Sequence, residues 1–99
     1  MQKLTVLFRA NRSGAFKGDV TAVFPSLVEG RGLVACYAHI GQHSACCLEW
    51  YRGTRPAAPT EYADLHQELT DIYTAQPSYG EPVELVVGKR WTHRFGAVA

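Results

Sequence analysis

Two compact apolar runs, Leu4 to Phe8 and Val20 to Phe24, are rich in β-branched and aromatic side chains and flank Asn11-Arg-Ser-Gly-Ala-Phe-Lys-Gly18, a segment of turn formers. They predict a first and a second strand. Pro25 and then Glu29-Gly-Arg-Gly32 interrupt the pattern before a third run, Leu33 to Ile40, and Gly41-Gln42 separates that run from a fourth, His43 to Tyr51. A two-residue turn at Gly41-Gln42 predicts a hairpin in which Ile40 faces His43, His39 faces Ser44, Ala38 faces Ala45, Tyr37 faces Cys46 and Cys36 faces Cys47. Side chains alternate between the faces of a strand. Leu33, Ala35, Tyr37 and His39 would then share the core face with Ser44, Cys46, Leu48 and Trp50, leaving Cys36, Cys47, Glu49 and His43 on the other. Arg52 to Pro59 reads as a connecting loop, because Pro56 and Pro59 restrict themselves and the residues before them.

From Thr60 the period changes. Tyr62, Leu65, Leu69, Ile72 and Tyr73 recur at helical steps, with Pro59 or Thr60 opening the helix and Pro77 closing it. Glu61, Asp64, Glu68 and Asp71 gather on the flank of that stripe, given about 100° per residue. The helix therefore carries an acidic edge. Val83 to Val87 predicts a fifth strand, and Lys89 onward is a basic, aromatic tail. The order β-β-β-β-α-β predicts an α+β fold, an antiparallel sheet of about five strands with one long helix packed on one face. A single helix covers only part of such a sheet, so the chain reads as a monomer or a homodimer, with apolar residues on the other face favouring a dimer or a partner protein.

The chain has 99 residues, enough for one core, so residues 1–99 read as a single domain with a body over 1–88 and a tail over 89–99. With 46% hydrophobic and 19% charged residues it has enough apolar material to fold, which argues against a disordered chain. The net charge of +1 argues against both an overall basic field for nonspecific DNA binding and an acidic surface imitating DNA. Met1 to Arg9 lacks the features of a signal peptide, and no apolar run is long enough to span a membrane. A cytoplasmic location is expected. Three cysteines, two of them adjacent, fit free thiols in a reducing compartment.

Cys36, His39, His43 and Cys46 have the residue types and spacing of a zinc set. In the predicted hairpin Cys36 and His43 point away from His39 and Cys46, so no metal site is expected. Cys46 or Cys47 with His39 or His43 supplies the ingredients of a thiol nucleophile, but no nucleophile turn or orienting Asn or Asp is recognisable. No phosphate-cradling Gly-rich loop or dinucleotide fingerprint occurs. Neither catalytic residues nor a cofactor are expected. Two recognition surfaces remain. One joins the hairpin tip, His39, Gln42 and His43, to the acidic edge, Glu61, Asp64 and Glu68, and suits a protein partner. The other combines Arg52 and Arg55 with Arg90, Trp91 and Arg94, cations interleaved with aromatics that can hold phosphates and stack bases; Arg12 and Lys17 add charge nearby.

Leu7-Phe-Arg9, Gly18-Asp-Val-Thr-Ala-Val-Phe-Pro25, Cys36-Tyr-Ala-His-Ile-Gly-Gln-His43 and Thr54-Arg-Pro-Ala-Ala-Pro-Thr-Glu-Tyr-Ala-Asp-Leu65 together resemble a group of small phage and prophage proteins. The resemblance spans most of residues 4–88. It implies a phage or mobile-element origin and action in the cytoplasm of an infected bacterium, and it carries over no activity and no site residue. Proteins of that kind and size often block host machinery through a folded surface. The expectation is a non-enzymatic protein that binds and inhibits a host complex, such as a defence complex in the manner of an anti-CRISPR. A nucleic-acid-binding accessory protein using the basic loops and tail is the alternative, and a zinc-supported or thiol-dependent protein a third.

Overall fold

The structure, a computed structural model, describes residues 2–38, 42–75 and 83–91. Strand β1 spans Gln2–Asn11, and its alternation sends Val6, Phe8 and Ala10 to one face and Leu7 to the other, all of them buried. A strand buried on both faces belongs inside a sheet. β2 (Val20–Gly30) lies antiparallel on one side of β1, with Leu7 opposite Val23 and Ala10 opposite Val20. β3 (Leu33–Ala38) and β4 (Gln42–Cys47) extend the sheet beyond β2, also antiparallel. On its other side β1 is shared: β5 (Thr54–Pro56) pairs antiparallel with Arg9 to Asn11, and β6 (Val83–Val87) pairs with Gln2 to Val6. The result is the expected α+β fold, a largely antiparallel sheet in the order β4-β3-β2-β1-β5 with one long helix packed on it.

Several local expectations are corrected. β2 runs through Pro25 to Gly30 instead of stopping at Phe24; register shifts between Phe24 and Val28 and between Val28 and Gly30 absorb the irregularity. Gly30 then pairs with Leu33, and Gly32, at φ 75°, supplies the left-handed residue of the turn between them. The fourth strand ends at Cys47, and Leu48–Arg52 forms a short helix, α1. Glu49 in its first turn and Arg52 in its last suit the helix dipole, and the Gly53 N–H closes it on the carbonyls of Glu49 and Trp50. Thr54 to Pro56, read as loop, is an edge strand, where a proline without an N–H is tolerated. β6 is parallel to β1, a pairing that alternation within one strand does not disclose.

The hairpin register also differs. Ala38 pairs with Gln42, Tyr37 with His43, Cys36 with Ser44, Ala35 with Ala45 and Val34 with Cys46. Three residues, not two, separate the paired ends, and the predicted pairs are displaced by an odd number of positions. An odd displacement exchanges faces. Cys36 and Cys46 therefore share a face, and His43 lies with Tyr37 on the opposite one.

The long helix α2 spans Pro59–Ala75, as its apolar stripe predicts. Leu65 and Leu69 are buried against Val6, Phe8, Ala10, Ala22, Phe24 and Tyr37, with Tyr62, Ile72 and Tyr73 packed around them. Tyr62 stacks on Phe8 with ring centroids 4.4 Å apart, and Tyr73 meets Phe24 at 5.8 Å. Pro59 suits the first helical position. Ala58 precedes it as a cap without a capping side chain, and Glu61 compensates by accepting the Ala58 N–H at 2.9 Å while pairing bidentately with Arg55 at 2.8 and 2.7 Å.

Those bonds, Arg55 first and the Ala58 N–H second, hold the Glu61 carboxyl at about 2, below its ordinary 4.5. A carboxyl depressed in the folded state contributes stability above its unfolded pKa, and that contribution is lost as pH falls through the folded value. Urea midpoints are therefore expected to decline between about pH 4.5 and 2, and Glu61→Gln is expected to flatten that part of the profile. A decline of the same depth in the variant would show that other carboxyls dominate it.

The second face carries a core of its own. Leu7, Val23, Val34, Cys36 and Cys46 form a smaller core under Trp50 and Tyr51 of α1 and under Trp91. Tyr51 and Trp91 meet edge to face at 5.3 Å. The sheet is thus packed on both sides within one chain.

Candidate functional site

The cysteine and histidine cluster is dispersed by the observed register. Cys36 and Cys46 lie in one buried cluster on the second face, with Ser44 paired opposite Cys36. The neighbouring Cys46 thiol, opposed by burial and reinforced by Ser44, lowers the Cys36 pKa, while the Cys36 thiol and burial raise that of Cys46. A shallow groove of about 410 Å³ passes over them toward Cys47 and Trp50. All three thiols are free. His43 occupies the opposite face, so it cannot act as base to either buried thiol, and His39 lies outside the described residues. Among the described residues no group of His, Cys, Asp and Glu converges as a metal site. The observed register places Cys36 with Cys46, which the expected hairpin separates, and sets His43 apart from both.

The partner-binding candidates come together better. Tyr37 bridges two of them: its ring meets His43 edge-on at 4.6 Å, and its hydroxyl donates to the Glu68 carboxylate on α2. The helix flank bearing Glu68 therefore faces β3 and β4. Asp64 is exposed one turn before it, and Asp71, which accepts from Gln67 at 2.9 Å, comes just after it. Glu61 sits at the start of the helix, occupied by Arg55 and the Ala58 N–H. Gln42 is the first residue of β4, opposite Ala38. His43, Ser44 and Ala45 are exposed along β4, the last strand of the sheet on that side. Tyr37, itself buried, thus ties the β4 edge to the acidic flank of α2 from beneath.

The Tyr51–Trp91 contact brings together the segments that carry two of the basic candidates. Arg52 is exposed at the end of α1, and Arg90 is exposed beside Trp91, whose ring lies against Tyr51. Arg55 is neutralised by Glu61, which also raises its pKa. Arg94 lies outside the described residues.

One polar centre escaped the sequence reading. Arg9 on β1 lays its guanidinium over the Tyr51 ring at 4.2 Å and donates to the Thr54 hydroxyl at 2.9 Å and the Thr54 carbonyl at 2.8 Å. Arg12 donates to that same carbonyl at 3.0 Å, and the Thr54 hydroxyl donates onward to the Tyr51 carbonyl at 2.6 Å. Burial lowers the Arg9 pKa, partly offset by Tyr51, and Arg12 adds repulsion. Alternation puts Arg9 on the face of Leu7 together with Lys3, Thr5 and Asn11, so the pattern along β1 does not single it out.

No helix among the described residues is long and apolar enough to cross a membrane. Comparison of the chain with protein-family models, with curated proteins and with solved structures gives no match, so the functional reading rests on this geometry and on the residues themselves.

Proposed function

We propose that this chain is a non-enzymatic accessory protein of phage or mobile-element origin that acts in the bacterial cytoplasm by binding a host protein complex and blocking it, a defence complex of the CRISPR kind being the class of target. The observation that carries the reading is the β4 edge. Natural edge strands are usually guarded by lysine, proline, a bulge or a covering element. β4 reads Gln-His-Ser-Ala-Cys-Cys, ends the sheet, and exposes His43, Ser44 and Ala45. An extended partner segment would pair its backbone with this edge, and basic side chains on it would meet the acidic flank of α2, where Asp64 is exposed.

Variants test this surface. Ala45→Lys guards the edge and Asp64→Lys reverses its charge, both at exposed positions. Each is expected to weaken capture of the host complex at least tenfold, about 1.4 kcal/mol, while Arg52→Glu and Arg90→Glu leave it unchanged. The reverse pattern, with binding falling steeply as salt rises, would transfer the function to nucleic acid.

A further inference from the structure

The outer side of β1 is divided between two strands. β5 pairs with Arg9 to Asn11 and β6 with Gln2 to Val6, so Leu7 and Phe8 lie at the join between them. The chain closes the two sides of the join through single bonds, Ala57 N–H to the Phe8 carbonyl at 2.9 Å and Gly88 N–H to the Val6 carbonyl at 2.8 Å. Between them opens a cleft of about 350 Å³ with Leu7 and Phe8 at its base. That volume is near the lower end for small-molecule sites. Gly88 allows the close approach: a Cβ there would come within 2.9 Å of the Leu7 side chain.

The walls combine two chemistries. Pro56, Pro59 and Tyr62 supply flat apolar surfaces, and Tyr62 is held in place by its stack on Phe8. Arg9 and Lys89 supply positive charge, and no carboxylate lines the cleft among the described residues. Arg9 is held by Thr54 and Tyr51 through Nε and one Nη2 proton, which leaves three of the about five guanidinium N–H donors for a ligand. Arg12 converges on the same Thr54 carbonyl. Two guanidiniums directed at one neutral oxygen repel each other, and among the described residues neither is paired with a carboxylate, Glu61 being taken by Arg55. An anion placed there would relieve that repulsion.

We propose that this cleft is a binding site for a nucleoside phosphate, its base held against the Tyr62 and proline walls and its phosphate at Arg9 and Lys89. The site lies at the β5–β6 edge, away from the β4 rim, and the inference is independent of the protein-binding reading. The ligand chemistry could be presented by a free mononucleotide or by one unit of a single strand, and the test separates them.

Titration calorimetry of the full chain against AMP, adenosine, inorganic phosphate and an eight-residue oligothymidylate provides the readout, with tryptophan fluorescence as a second signal from Trp91, which touches Tyr51. AMP is expected to bind at least tenfold more tightly than adenosine or phosphate. Lys89→Glu, an exposed change, is expected to weaken AMP at least tenfold while circular dichroism stays that of the parent. Equal affinity for adenosine and AMP, no effect of Lys89→Glu, or no binding of any of the four compounds at millimolar concentration would overturn the site. Binding of the oligonucleotide without AMP would also overturn it, in favour of a surface that follows a strand.

Discussion

Replacing Leu69 with alanine is expected to lower the unfolding free energy by about 2–5 kcal/mol, the range for deleting a buried leucine side chain where the surroundings relax only partly. Leu69 is 0% exposed and, with Leu65, fixes α2 to the main face of the sheet. The partners beneath it are strand residues, Val6, Phe8, Phe24 and Tyr37 among them, and a hydrogen-bonded strand cannot move inward to fill the void without breaking its ladder. Domains of this kind are stable by only about 5–15 kcal/mol, so the variant would lose a large fraction of the whole. Urea denaturation measures it as a lower midpoint at unchanged slope. Leu69→Met, nearly equal in volume, is expected to lose less than about 1.5 kcal/mol. A loss below 1 kcal/mol in the alanine variant, taken as about half the lower bound, would mean that α2 is not held as described.

Thr54→Val is expected to be the most damaging change on the second face. Thr54 is 2% exposed, and its hydroxyl both accepts from Arg9 Nε and donates to the Tyr51 carbonyl. Valine keeps the shape and removes both bonds. Leaving a buried partner unsatisfied costs about 1–3 kcal/mol, with charged groups toward the upper end. The damage also reaches α1, because Arg9 stacks on Tyr51 and Tyr51 meets Trp91. Near-ultraviolet circular dichroism should therefore lose aromatic signal along with stability. Thr54→Ser retains the hydroxyl and is expected to retain most of both; equal losses in serine and valine variants would assign the role of Thr54 to its methyl group instead.

The parts of this fold that could be read from the residues are those in which one local pattern decides the outcome. The spacing of Leu65 and Leu69 on one side of α2, and the proline at its start, identify the helix without reference to the sheet. The failures occur where two patterns agree over a short stretch. Cys46, Leu48 and Trp50 alternate as a strand would, yet Leu48–Arg52 is a helical turn that carries Trp50 and Tyr51 over the second face. Pro56 looked incompatible with a strand because its edge position was unknown.

The hairpin shows how small an error redirects a functional argument. A separation of three residues instead of two moved Cys36 and Cys46 onto one face and His43 onto the other. The zinc and thiol readings depended on that register. The acidic flank of α2 did not, since helical spacing alone places Asp64 beside Glu68. What the residues could not disclose was that Tyr37 would join this flank to His43 and the β4 edge. Arg9 was missed for a related reason: its partners Tyr51 and Thr54 are distant in sequence, and only pairing of β5 with β1 brings them together.

The central claim, a protein-binding rim at the β4 edge, is tested most directly by capture of its partner from host lysate on the tagged chain, with and without nuclease, beside the Ala45→Lys variant. One host complex in fixed stoichiometry is expected to survive nuclease and to disappear with Ala45→Lys while the variant remains folded. Recovery that vanishes with nuclease, or that persists undiminished on the guarded edge, would contradict it.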